Sequence, residues 1–173
     1  DPTRPNHAAL LDAATIVLRG AGYTVFDGAV PGNIAHSAIA AEYAHVTAPL
    51  RRLVDRYGLE ICASVTAGAE VPAWVREALE ALPEEMTDSD RRANAYESAC
   101  VNLVEAAVMA HLVGQSFPGV VVDLHENGGG DVVVHEPAVQ GTVDGSNLPL
   151  GAEVAVRLVE ASVERRTVSF VLA

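Results

Sequence analysis

Residues 117–137 read FPGVVVDLHENGGGDVVVHEP, two valine-rich runs on either side of one asparagine and three glycines. β-Branched residues suit a pleated strand, and Asn and Gly accept the backbone angles of a tight turn, so the stretch reads as a β-hairpin. The NGGG tract has neither the strand-to-helix setting nor the lysine of a phosphate loop, and it counts only as a turn. Strand-like runs continue at GTVDG (141–145), EVAVRLVEA (153–161) and RTVSFVLA (166–173), parted by AVQ, SNLPLG and SVER. Five short strands predict a small Greek-key barrel over residues 113–173. Phe117 opens the first strand. Its valine neighbours favour core packing. His125 and His135 flank the hairpin and read as exposed loop-edge residues, since two histidines without a third donor are not a metal site. Arg165 and Arg166 fall in the last turn as a solvated pair.

Upstream of residue 113 the texture is helical, which makes the chain α+β. In NHAALLDAATIVLRGAG (6–22), Leu10, Leu11, Ala14 and Val17/Leu18 repeat at helical spacing, with Asn6 or Thr3 as cap and Gly20 or Gly22 as stop. YTVFDG (23–28) is strand-like, and HSAIAAEYAHVT (36–47) reads as an extended segment ending at Thr47. Thr47 is then a candidate N-cap, with Pro49 at an early helical position where its missing N–H costs nothing. Leu50, Leu53/Val54, Tyr57 and Ile61 fall on one stripe, and Arg51, Arg52, Asp55 and Arg56 fall mostly off it. Both adjacent arginines are thereby expected on a helical first turn, where free N–H groups and the macrodipole suit a phosphate. Gly68 breaks this helix, and VPAWVREALEAL (71–82) restarts one that Pro83 ends. TDSDRRANAYESACVNLVEAAVMAHLVG (87–114) is a long helix with Thr87 or Asp88 as cap and Gly114 as stop. Arg91 and Arg92 sit near its start, where the dipole does not favour cations. Trp74 reads as a core anchor or interface residue.

The chain has 173 residues, half of them hydrophobic, and a net charge of −12 with eleven Arg and no Lys. An acidic total argues against generic nucleic-acid binding. Between residues 50 and 57, however, three arginines face one aspartate, a local +2. All-arginine usage fits a high-GC, actinobacterial-like genome. Cys62 and Cys100 lie in apolar runs and read as buried free thiols, with no zinc pattern. No apolar run approaches the ~18 residues of a membrane span, so the expectation is a soluble, cytoplasmic protein with no membrane partner. A chain that opens on Asp1 is expected to be a piece of something longer.

The segment YAHVTAPLRRLVD (43–55) resembles the motif near the end of the catalytic domain in the ribonuclease II (RNB) family of exoribonucleases. That motif is an aromatic residue, then T-S/A-P-I/L-R-R/K, then an Asp four residues after the first Arg. Thr47, Ala48, Pro49, Leu50, Arg51, Arg52 and Asp55 match it in order. The resemblance implies that residues 1–112 are the C-terminal portion of the RNB catalytic domain. Residues 113–173 would be the OB-type RNA-binding barrel that closes these enzymes.

The implied activity is 3′→5′ hydrolytic removal of nucleoside 5′-monophosphates from single-stranded RNA, with Mg2+ held by an aspartate cluster. Arg51 is implied as the catalytic residue at the scissile phosphate, since a planar, always-charged guanidinium can bind two phosphate oxygens at once. Arg52 would be a secondary backbone contact with Asp55 orienting it. Tyr43, His45, Thr47 and Phe117 are further candidate RNA contacts, although for Tyr43 and His45 packing beside the helix start is an equal reading. The chain departs from the family pattern at three points. Leu59 stands where a His is usual, Glu97–Ser98 stands where an ER or TR pair is frequent, and no metal ligands are found. The isolated chain is therefore expected not to cut RNA and to need the N-terminal half of the enzyme as partner. The alternative is a non-catalytic RNA-binding or protein-assembly module on the same fold.

Overall fold

The structure is a computed structural model that describes residues 4–15, 22–32, 34–36, 38–44, 46–126 and 128–173. The chain divides into two compact units, Asp1–Gly20 with Ala95–Ala173, and Ala21–Asn94. The expected boundary at 112/113 falls close to the first barrel strand, but α1 (Pro5–Ala14) and the second half of α4 (Leu82–Met109) group with the barrel as well.

In the barrel unit, β3 (Ser116–Leu124), β4 (Gly130–His135), β5 (Ala138–Asp144), β6 (Glu153–Ser162) and β7 (Thr167–Leu172) close in the order β3-β4-β5-β7-β6. All neighbours are antiparallel except β5 and β7, whose parallel pairing of Thr142 with Ser169 and Val143 with Phe170 shuts the cylinder. AVQ, read above as a separator, belongs to β5, where Val139 is buried and Ala138 and Gln140 are exposed. Period-two alternation fills the interior with Val132, Val134, Val143, Val156, Leu158 and Phe170. Two glycines are required by clearance. A Cβ on Gly141 would lie 2.6 Å from the Phe170 ring, and one on Gly130 would lie 2.2 Å from the Asp123 carbonyl oxygen. β3 breaks the alternation, because Val120, Val121 and Val122 are all buried. Val121 joins the barrel core, whereas Val120 and Val122 are buried outside it, on the strand against which α1 (Pro5–Ala14) packs.

α1 begins with Pro5 after Arg4 as N-cap, with no side-chain cap. Asn6 thus lies inside the helix, and Thr3, Val17, Leu18 and Gly20 lie outside the described residues. α4 (Leu82–Met109) ends in a 3₁₀ turn at Ala110–Leu112, and Gly114 at φ 93° completes the stop. Its Ala106 and Met109 are fully buried in the barrel core.

In the helical unit, YTVFDG forms no strand. The extended segment up to Thr47 becomes a minimal hairpin of β1 (Ala35–His36) and β2 (Ala41–Glu42). α2 (Leu53–Thr66) ends at Gly68, φ 64°, with the Ala69 N–H donating to the Ser64 carbonyl at 2.9 Å. α3 (Ala73–Ala78) follows Pro72. Pro83 does not end a helix; it lies in the first turn of α4, where a missing N–H is harmless. Thr87, consequently, is an interior residue whose hydroxyl donates to the Pro83 carbonyl at 2.8 Å. Trp74 is half exposed and meets Tyr57 edge-on at 5.2 Å, so it is not a core anchor. Cys62 and Cys100 are both exposed, because each sits on the outward side of its helix.

Candidate nucleic-acid interface

The two adjacent arginines are separated by a single carboxylate. α2 starts later than its sequence suggests: Leu53 is its first residue and Arg52, at φ −123° and ψ 116°, is the N-cap. Pro49, Leu50 and Arg51 form a turn before it, with the Arg51 and Arg52 N–H groups donating to the Ala48 carbonyl at 3.2 and 3.0 Å. Thr47 is exposed and caps nothing.

The capping role passes to Asp55, the third residue of α2. Acidic residues at this position commonly reach back to the N-cap, where the dipole favours them. Asp55 is fully buried; its Oδ2 accepts the Ala48 N–H at 2.7 Å and Arg52 Nη2 at 2.9 Å, and its Oδ1 accepts Arg52 Nε at 3.0 Å. This fork-to-carboxylate bond raises the Arg52 guanidinium above the ordinary arginine value. Nearby, burial pushes the Tyr23 phenol up, with Arg52 opposing the shift.

Arg52 is thereby consumed in closing the turn. Arg51, held at the tip of the same turn, is exposed, and its side chain makes no hydrogen bond or ion pair among the described residues. No surface pair forms between Arg51 and Asp55, because the late helix start places Arg52 at the bonding distance instead.

Arg51 opens onto a cleft of about 660 Å³ between residues 49–56 and the first turns of α4. Its charged lining is Arg51, Arg56, Arg91 and Arg92 against Glu85 and Asp88, a local balance of +2. Arg91 and Arg92 are not at the start of α4, as their spacing from Thr87 suggested, but more than two turns into it. A second cleft of about 810 Å³ in this unit has only Arg76 against Asp27, Glu77 and Glu80, and it repels a polyanion.

The other sequence-derived candidates do not gather at this cleft. Tyr43 follows β2 and meets His36 edge-on at 5.2 Å. His45 lies outside the described residues. Phe117 is partly buried and packs against the barrel core. Leu59, in the position of the family His, is 41% exposed on α2.

OB-type barrels present oligonucleotides to strands two and three and the adjoining loops. The corresponding face here, on β4 and β5, carries Asp131 and Asp144 among its outward residues and no arginine. His125 Nε2 lies 3.3 Å from Asp131 Oδ1, and Asp123 completes a group whose donor atoms all fall within 4.8 Å of one another. His135 is not in it. Sequence reading missed this grouping because the strand register across the hairpin, which brings Asp123 opposite Asp131, is not written in the spacing. In the last turn Arg165 is ion-paired with Glu160.

Magnesium prefers an octahedron of oxygens, usually one or two carboxylates with waters and phosphate. The one three-donor group among the described residues includes an imidazole and lies in the barrel unit, and Asp88 is engaged by Arg91 at 3.0 Å. These residues do not fit a catalytic magnesium site.

Residues 115–173 match the family model described as RNase II-type exonuclease C-terminal S1 domain. Among solved structures the chain is similar to Mycoplasma genitalium RNase R in its apo form. The TM-score is 0.76 at 14% identity, covering 99% of this chain and 30% of that one. The same enzyme in complex with ribose-methylated single-stranded RNA gives the same TM-score, identity and coverage, 0.76, 14%, 99% and 30%. An active-site mutant of the Dss1 exoribonuclease from Candida glabrata gives 0.64 at 13% identity, covering 81% of this chain and 19% of that one. No curated protein matches the sequence. The chain thus spans about 30% of the length of the RNase R structures, and at these identities the likeness is one of fold. Over residues 115–173 the chain matches the C-terminal S1 domain of RNase II-type exonucleases, and as a whole it shares the fold of the matched part of RNase R.

Proposed function

We propose that the chain is the RNA-gripping C-terminal part of a 3′→5′ hydrolytic exoribonuclease that releases nucleoside 5′-monophosphates. Arg51 is its contact to the reacting phosphodiester. The observation that carries this reading is the division of labour between neighbours: Asp55 takes Arg52 out of circulation and fixes the turn, leaving Arg51 exposed at a cationic cleft. A guanidinium held in place before substrate arrives can stabilise charge on a phosphoryl group without reorganising. The S1 barrel and the fold shared with an RNase R that was captured on single-stranded RNA support the substrate class. Hydrolysis itself needs Mg2+, and on this reading its aspartates stand on protein N-terminal to this segment in the family, either joined to it or supplied as a partner.

The test is reconstitution. The chain, joined to or mixed with a segment carrying the family's aspartates, is expected to release 5′-mononucleotides in a magnesium-dependent way. Arg51→Ala is expected to slow that release about 10²–10³-fold, the usual cost of one lost charge-stabilising donor. An unchanged rate for Arg51→Ala removes the assignment.

One observation favours the non-catalytic alternative. Leu59 presents an exposed aliphatic side chain where the family places a His. If reconstitution yields tight, salt-sensitive RNA binding but no mononucleotides, the chain is a binding or assembly module on this fold.

A further inference from the structure

Four of the eleven arginines of a chain with net charge −12 line one cleft, and they come from two separate elements. Arg51 and Arg56 stand on the turn and first turns of α2, and Arg91 and Arg92 stand on α4. Their states differ. Arg91 is bound to Asp88 at 3.0 Å, an exposed pair one helical turn apart. Arg56 and Arg92 are exposed, and their side chains have no hydrogen bond or ion pair among the described residues. Cations facing one another across a cleft repel, so leaving them unpaired costs free energy that an anion between them would recover.

We infer that Arg56 and Arg92 form a second phosphate subsite in the Arg51 cleft, so that the site grips at least two phosphates of one single-stranded backbone. Asp88 holds Arg91 in reserve and thereby limits the grip. This rests on the reading of Arg51 given above. The cleft volume of about 660 Å³ falls in the roughly 300–1,000 Å³ range of ligand clefts, and the cleft is open to solvent. Leu50, fully exposed at the tip of the turn, and Leu53 line the same cleft, so it offers apolar surface to the sugars between phosphates as well as charge to the phosphates. The arginines explain the cleft's sign; their placement on two walls explains why a chain of phosphates, rather than one, is the fitting ligand.

The experiment is a salt titration of binding between the 173-residue chain and a fluorescent single-stranded oligoadenylate. Each phosphate contact contributes about −0.7 to the slope of log affinity against log salt. Arg51→Ala, Arg56→Ala and Arg92→Ala are each expected to weaken binding and to flatten the slope by about 0.7. Arg56→Lys and Arg92→Lys are expected to keep the slope, which separates lost charge from lost structure. Asp88→Asn, which releases Arg91, is expected to steepen the slope by about 0.7. If Arg56→Ala and Arg92→Ala bind like the parent while Arg51→Ala does not, the second subsite is refuted and the Arg51 reading stands. If Arg51→Ala also binds like the parent, or the parent does not bind, both fail. Competition by polyglutamate as strong as by oligoadenylate would identify an acidic-peptide groove and overturn the subsite.

Discussion

The barrel unit and the helical unit divide the work of the molecule between them. The barrel buries a continuous set of valines, Leu158 and Phe170, with α4 contributing Ala106 and Met109. In the helical unit the fully or nearly buried side chains among the described residues are Val75, Leu82, Met86, Ser64 and, unusually, the carboxylate of Asp55. One unit is held by apolar area, the other in part by a charged clasp. An apolar core tolerates no polar intrusion and presents little chemistry. A buried carboxylate, by contrast, fixes a turn from the inside and leaves that turn's outer residues available to solvent. The unit with the thinner core is accordingly the one that displays the cationic cleft.

That contrast can be broken at its strongest point first. Phe170→Ala empties the centre of the barrel and is expected to cost about 3–5 kcal/mol in urea denaturation. A loss below about 1 kcal/mol would mean that the barrel is not held by that cluster. Gly141→Ala drives a methyl into the Phe170 ring and is expected to cost about 1–3 kcal/mol. Asp55→Ala strands the Ala48 N–H and unpins the turn, at about 1–3 kcal/mol for the unmet donor alone. It should also lower RNA affinity although Asp55 is fully buried, and unchanged binding would show that Arg51 needs no clasp. The smallest effect is the most discriminating. Thr47→Ala would cost about 1 kcal/mol if Thr47 capped α2, but in this geometry the change stays within about 0.5 kcal/mol.

The two units also differ in how far their sequences can be read. The strands were legible because short runs of β-branched residues suit a pleated strand, and the glycine tract marks its own turn. AVQ escaped because three residues after a proline carry too little pattern to register as a strand. In the helical unit the same residue type bears opposite meanings. Pro83 looks like a terminator and is in fact an initiator, and only packing against neighbours decides between them. Arg51 and Arg52 posed a similar problem. Asp55 lies four residues from one and three from the other, both workable spacings on a helix. The choice turned on where α2 begins, and that depends on an N–H bond from Ala48 that no spacing reveals. The cleft itself was invisible for a related reason: Arg56 and Arg92 are 36 positions apart, and nothing local joins them.

β5 and β7 run side by side only from Thr142 to Asp144, so the start of β5, still paired with β4, has an open edge with a main-chain donor facing outward. Glu105 of α4 accepts that donor, the Gln140 N–H, at 3.0 Å. A row of open amides is what a foreign strand needs in order to stack onto a sheet. With that amide taken by a carboxylate, the open edge offers one donor fewer to an incoming strand, and Glu105→Ala would return it.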